Sequence, residues 1–309
     1  MITTITLNPA IDRTIHIQSI KYGEVNRVGE IREDLGGKGI NVGRILSGFT
    51  LPTMNMTILG QSNQHEILEY FKKDQMAVNY VEVPGHTRTN IKIVEMGMNR
   101  TTDLNESGPS VDPKNYEKFL EKLDTIAPKS EYLIMSGSLP EGLSKDTYKN
   151  IANRYGKQVK IIMDADDDIL REGLKGEPYL IKPNIHELEN ALNRKLESDV
   201  KIIEAAREII KMYKITYVLV SMGSKGSLLV TAEEAYRGGT IKVDIISTVG
   251  AGDAMLAGFI YGLSRKKPLD DCLAIATACS ALTISVEGYP RLDLDDVYDR
   301  ARQVTVTKL

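Results

Sequence analysis

The sequence predicts an α/β fold: a central, mostly parallel sheet flanked by helices, with a small β sheet as a lid. Three observations lead there. Short apolar runs alternate with longer stretches of helical periodicity along most of the 309 residues, the pattern of strand-helix-strand units. Each apolar run ends in a turn of polar and small residues. Two stretches, 13–35 and 86–107, break the rhythm with period-two alternation.

The apolar runs are Ile2 to Leu7, Met54 to Leu59, Tyr132 to Met135, Val159 to Met163, Tyr179 to Ile181 and Tyr217 to Val220. Helical patterns lie between them; Val42, Ile45, Leu46 and Phe49 follow i, i+3, i+4, i+7. The runs end at Asn8 to Asp12, Gly60-Gln61, Ser136 to Ser138, Asp164 to Asp166, Lys182 to Asn184 and Ser221 to Gly223. Ligands of open α/β sheets bind outside the carboxyl ends of the strands, so these turns are expected to line one crevice.

In the first departure Ile15 and Ile17 alternate, and Val25, Val28 and Ile31 follow among charged residues. In the second, Ile91 and Ile93 alternate with Asn90 and Lys92 before a polar turn at Gly97 to Thr102. Neither fits a parallel sheet. Together they predict a lid, discontinuous in sequence, within a single domain spanning 1–309 whose remainder is the α/β core. An exposed apolar face on such a lid suits pairing with a second copy, so a homodimer through the lid is expected.

Composition narrows the function. The chain is 42% hydrophobic and 26% charged with net charge -3, which does not point to nucleic acid. No run of 18 apolar residues appears and the first residues lack a basic start, so no membrane partner is expected and the cytoplasm is the expected compartment. Cys272 and Cys279 fall in the apolar stripe Leu269, Cys272, Leu273, Ala276, Cys279, Leu282, Val286 and read as buried thiols. His16, His65, His86 and His186 lie without ligand spacing, which sets aside zinc and Ser-His-Asp chemistry.

Two glycine clusters open helices. One is Ser247-Thr-Val-Gly-Ala-Gly-Asp253, before a run in which Met255, Leu256, Phe259, Ile260 and Leu263 recur at helical spacing. The other is Gly36-Gly-Lys-Gly39, before Ile40-Asn41. Bare backbone at a helix start suits a phosphate. Neither cluster has the spacing of a Walker loop or of a dinucleotide fingerprint. Two such sites suggest two anionic ligands meeting, as phosphoryl transfer requires. Asp253 is then either a proton acceptor or an ordinary helix cap. Gly250 to Gly252 can hold the oxygens of the transferring group. Lys38 and Arg88 can bind a phosphate already on the substrate, although Arg88 also reads as a solvated lid residue. Asp12 can accept hydrogen bonds from sugar hydroxyls. Glu187 either orders the water shell of Mg²⁺ or, like Glu189, is a first-turn acid of a helix. Asp164, Asp166, Asp167 and Asp168 read as a solvated loop, because adjacent residues rarely converge on one ion.

With these residues in hand, the chain resembles the ribokinase-like PfkB sugar kinases over essentially its whole length. Gly36 to Asn41 and Thr248 to Asp253 match the family's two motifs, and Asn8 to Asp12, Ser136 to Pro140, Lys182 to Glu187 and Ser221 to Gly226 also match. Gly23 to Val28, Thr87 to Lys92 and Thr102 to Asn105 look most similar to the phosphosugar branch that acts on fructose 1-phosphate. The resemblance implies ATP-dependent phosphorylation of that sugar at its 6-hydroxyl, with Mg²⁺. Tagatose 6-phosphate and fructose 6-phosphate are the alternative substrates, and a non-catalytic sugar-phosphate sensor is the alternative of another class. The catalytic residues it implies are Asp253 as base with Gly250, Ala251 and Gly252 as anion hole. It places substrate at Asp12, Gly37, Lys38, Asn41, Arg88, Asn90 and Ser136. It places ATP at Lys182, Asn184, Ser221, Gly223, Gly226, Thr248 and Ala278, and Mg²⁺ at Glu187 through water. Ser247 replaces an Asp with which many relatives help bind a monovalent cation, so the need for such an ion is left open.

Overall fold

The computed structural model describes residues 1–98 and 100–309; Asn99, inside the expected turn at Gly97 to Thr102, lies outside them. In chain order the elements are β1 (Ile2–Thr6), β2 (Ala10–Ile17), β3 (Ile31–Gly36), α1 (Lys38–Gly48), β4 (Thr53–Gly60), α2 (Gln64–Lys73), β5 (Val78–Val83), β6 (Arg88–Glu95), β7 (Arg100–Asn105), α3 (Pro113–Ile126), β8 (Tyr132–Ser136), α4 (Thr147–Tyr155), β9 (Lys160–Asp164), α5 (Asp167–Gly173), β10 (Leu180–Ile181), α6 (Ile185–Leu192), α7 (Asp199–Tyr213), β11 (Tyr217–Ser221), β12 (Ser227–Val230), β13 (Ala235–Gly238), α8 (Ala251–Ser264), α9 (Leu269–Ile284), α10 (Leu294–Ala301) and β14 (Val306–Lys308).

Every apolar run became a strand of one sheet, ordered β14-β13-β12-β11-β10-β9-β8-β1-β4-β5. From β11 to β5 all neighbours are parallel; β12, β13 and β14 extend the edge antiparallel. The runs are apolar on both faces because both faces are covered. Along β8, Leu133 and Met135 join one core with Phe119, Tyr148 and Ile209. Tyr132 and Ile134 join the other with Val42, Phe49, Leu256 and Phe259.

Helix α8 opens at the glycine cluster as expected from the spacing of Met255, Leu256, Phe259, Ile260 and Leu263. It is buried continuously from Asp253 to Gly262, because α1 and α9 enclose it. Cys272 and Cys279 of α9 are fully buried there. A side chain at Gly258 would stand 2.8 Å from the Cys279 Sγ and 2.9 Å from the Ala276 backbone.

The departures form a separate four-stranded sheet, β3-β2-β6-β7. It begins at Ala10 and Gly36 closes its first part, slightly outside 13–35; β6 and β7 fall within 86–107. Its middle pair, β2 and β6, is parallel, with Asp12 opposite Asn90. Asp34 faces Asp12, and Asn105 faces Asn90, so Asp34, Asp12, Asn90 and Asn105 make one row across the sheet. Ile15, Ile31 and Ile93 make an apolar row on the opposite face, since alternate residues point to opposite sides. Gly60-Gln61 is the one turn that does not join the others: its Gly60 N–H donates to the Thr87 hydroxyl at 3.0 Å and anchors the strand entering the lid.

Candidate active site

A cavity of about 590 Å³ lies between the lid's polar row and the carboxyl ends of β1, β8, β9, β10 and β11. Of the eight buried side-chain polar atoms without a partner among the described residues, five belong to its walls: Thr6 Oγ1, Asn8 Oδ1, Arg88 Nε, Asn90 Oδ1 and Asp164 Oδ2. Buried polar groups are normally paired, so a cluster of orphans in one place marks the seat of a polar ligand.

At one end stands Asp253, in the first turn of α8. Gly250 precedes that helix with φ +75, a conformation that suits glycine. No side chain caps the helix, so its first N–H groups lack an intrahelical or capping partner, and Gly250, Gly252 and Asp253 of this start line the cavity. The cap reading of Asp253 is therefore wrong: its Oδ2 instead accepts a hydrogen bond from the Asn41 amide at 2.8 Å. Asp253 is only 6% exposed. Burial pushes its carboxyl up to about 7; the Asp164 charge adds to this, while the Asn41 hydrogen bond, Lys182 and Lys38 oppose it.

Asp164, at the end of β9, corrects a second reading. It is 2% exposed and belongs to no solvated loop. Lys182 Nζ lies 3.2 Å from its Oδ1 and Lys38 Nζ 3.9 Å, while Lys38 also pairs with Asp166. Burial alone would lower the Lys38 pKa; the charges of Asp164 and Asp166 hold it above its ordinary value. Asp167 and Asp168 turn outward, Asp168 to Lys145 and Arg171.

The lid side is held by Arg88 and Asp12. Arg88 donates to the carbonyls of Asn8 (3.0 Å) and Glu106 (3.2 Å) and to the Ser138 hydroxyl, so it is no solvated surface residue. Burial lowers its pKa and nearby Asp12 opposes that. Asp12 accepts from the Asn90 amide at 2.8 Å and from the Tyr289 hydroxyl; burial raises its pKa against those two bonds.

The opposite wall is Lys182, Asn184, Ser221 and Glu187. Asn184 caps α6 and Glu187 completes a capping box with it, so Glu187 is both a first-turn acid and a cavity residue. Burial raises its pKa. Glu187 and the unpartnered Asp164 Oδ2 bring carboxylate oxygens to one cavity, the donor type Mg²⁺ takes.

The structure gathers Asp12, Gly37, Lys38, Asn41, Arg88, Asn90, Lys182, Asn184, Glu187, Ser221, Gly250, Gly252 and Asp253 on the cavity wall. The remaining expected residues stand elsewhere. Ser136 is fully buried and donates to the Asp164 carbonyl at 3.2 Å; it braces that strand end while Gly137 and Ser138 reach the cavity. Ala278 is fully buried within α9 and its side chain belongs to the core. Thr248 and Gly223 are exposed beyond the wall. Gly226 serves the turn between β11 and β12, where an added side chain would meet the Gly238 carbonyl at 2.2 Å. Ala251 opens α8 behind its two glycines. Asp164 and Ser138 lie in turns expected to line the crevice but were not singled out as site residues, and Asn105 entered only as part of the resemblance at Thr102 to Asn105; nothing in the sequence distinguishes Tyr289.

A helix start offering free N–H groups beside a buried acid and two lysines suits the passage of a phosphoryl group between two bound molecules. Comparison with known proteins agrees. The family model described as pfkB family carbohydrate kinase matches residues 5–291, and the chain belongs to this family; it is a carbohydrate kinase. It is 36% identical over 285 residues to the 1-phosphofructokinase of Escherichia coli (strain K12), covering 92% of this chain and 91% of that one. It is 34% identical over 312 residues to the 1-phosphofructokinase of Haemophilus influenzae, covering 100% and 98%. The crystal structure of phosphofructokinase-2 from Escherichia coli in complex with substrates and products superposes with a TM-score of 0.91 at 25% identity over 98% of both chains. No helix among the described residues is long and apolar enough to cross a membrane.

Proposed function

We propose that this kinase transfers the γ-phosphate of ATP to the 6-hydroxyl of fructose 1-phosphate, yielding fructose 1,6-bisphosphate and ADP. The supporting observation is the cavity itself, in which Asp253 stands at the uncapped start of α8 between a lid wall rich in sugar-type partners and a wall bearing Lys182, Asn184 and Ser221. The names of the curated relatives favour the phosphosugar.

The sugar lies along the lid row, its hydroxyls donating to Asp12 and its 1-phosphate near Arg88. ATP lies along the opposite wall with its γ-phosphate at the N–H groups of Gly250, Ala251 and Gly252. The sugar oxygen forms its bond to the γ-phosphorus as the bridging bond to the β-phosphate breaks, and Asp253 takes the hydroxyl proton. The free N–H groups of α8 and the lysine ammonium groups stabilise the charge on the transferring oxygens. Asp164 and Glu187 are the residues that would hold Mg²⁺, which supplies positive charge to the phosphates. Closure of the lid over the sugar excludes water.

The test is ADP release with fructose 1-phosphate, fructose 6-phosphate and tagatose 6-phosphate side by side. The highest kcat/KM is expected for fructose 1-phosphate. Preference for a 6-phosphate ester replaces the substrate and leaves the chemistry; no ADP release with any of the three removes the proposal.

A further inference from the structure

Arg44 is 4% exposed, is absent from the cavity wall, and has every face of its guanidinium engaged. Its Nη1 donates to Asn41 Oδ1 at 2.9 Å, its Nη2 to the Leu35 carbonyl of β3 at 2.7 Å, and its Nε to Asp74 Oδ2 at 2.9 Å. The guanidinium carbon also stands 5.4 Å from the centre of the Tyr289 ring, within the range of a cation–π contact. One buried cation thus touches α1, the lid strand β3, the end of α2 and the loop that follows α9.

Two of these contacts continue to reacting groups. A guanidinium can only donate, so Asn41 must turn its oxygen towards Arg44. That leaves the Asn41 NH₂ for Asp253 Oδ2 at 2.8 Å. Without Arg44 the amide oxygen loses its donor and only the bond to Asp253 orients Asn41; a rotated Asn41 would set its oxygen against the Asp253 carboxylate. Along the other arm, the Tyr289 hydroxyl donates to Asp12 Oδ2. We propose that Arg44 is a positioning residue that sets Asp253 through Asn41 and Asp12 through Tyr289, so that the proton acceptor and the sugar-binding carboxylate are aligned from one point. This rests on Asp253 being the base.

The experiment is steady-state kinetics of full-length Arg44→Gln, Asn41→Ala and the double variant, with ATP and whichever sugar phosphate the native protein turns over. Arg44→Gln is expected to lower kcat by about tenfold or more, as small misplacements of reacting groups do, and to raise the KM of the sugar while that of ATP stays within about twofold. Because Arg44 acts through Asn41, the double variant should lose no more kcat than the worse single one. Native-like kcat in Arg44→Gln, or losses that add in the double variant, overturns the inference. If Arg44→Gln does not fold, Asp74→Asn decides: it loosens the guanidinium from its more exposed side, and a fall in kcat of about threefold that disappears in the Asn41→Ala background is expected. An unchanged kcat in Asp74→Asn overturns the inference as well. A fully active Asp253→Asn would remove the underlying reading; an active native protein whose Arg44 and Asn41 effects are independent removes only this one.

Discussion

Asp253 shows why a buried acid in a kinase has to be read through its neighbours. Its value near 7 arises first from burial and then from Asp164, so its charge is held against both. Replacing it with Asn should lower kcat by orders of magnitude while calorimetry still records ATP binding. Near-native turnover would remove Asp253 as base. The same shift predicts a pH profile in which activity falls below about pH 7, because only the ionised form accepts a proton. For stability the sign is opposite to that of a paired surface carboxylate. The folded-state pKa lies above the ordinary 3.8, so keeping the charge buried destabilises the fold as pH rises from about 4 to 7, and nothing is lost below that window. Asp253→Asn should therefore have a higher Tm than the native protein at pH 8 and an equal one at pH 3. Arg88, fixed by two backbone carbonyls and Ser138, is expected to act on binding: Arg88→Ala should raise the KM of the phosphosugar with little change in that of ATP, and an unchanged sugar KM would place the phosphate elsewhere.

At the scale of elements, the parallel core was legible because strand ends carry a recognisable turn chemistry, and five of six such turns do line the cavity. The exception, Gly60-Gln61, was not separable by that rule; only tertiary structure shows that it holds Thr87. The lid was visible in the alternation of Ile15 with Ile17 and Ile91 with Ile93, but the parallel pairing of β2 with β6 depends on two segments far apart in sequence. Periodicity located α8 correctly, since Met255, Leu256, Phe259, Ile260 and Leu263 all fall in it, but it did not reveal that α1 and α9 enclose the helix and leave it almost no polar side. Its tight fit against α9 makes a separate prediction. Gly258→Val forces two methyl groups into contact with Cys279 and the Ala276 backbone, and overpacking of this kind costs about 1–3 kcal/mol. Thermal unfolding should shift down accordingly, while the KM values of the folded fraction stay native. An unshifted midpoint would show that α8 and α9 separate freely.

For the whole molecule, the large sheet supplies one wall of the cavity and the lid the other. The outward face of the lid sets Ile15, Ile31 and Ile93 in one row, with Ile31 51% and Leu104 53% exposed. Such a face fits a second copy of the chain. Light scattering is expected to give twice the chain mass, and Ile31→Lys or Leu104→Lys to reduce it to one; a single-chain mass for the native protein would leave that face to another role.

The pairing of β2 with β6 also carries a consequence for biosynthesis. Asp12, Arg88, Asn90 and Asn105 are all present once the ribosome has added the first 105 residues, whereas the acid that would accept the proton is residue 253. Chains are made from the amino end and N-terminal units generally fold first. The lid surface proposed to hold the sugar can therefore take shape on the nascent chain long before the proposed base has been translated.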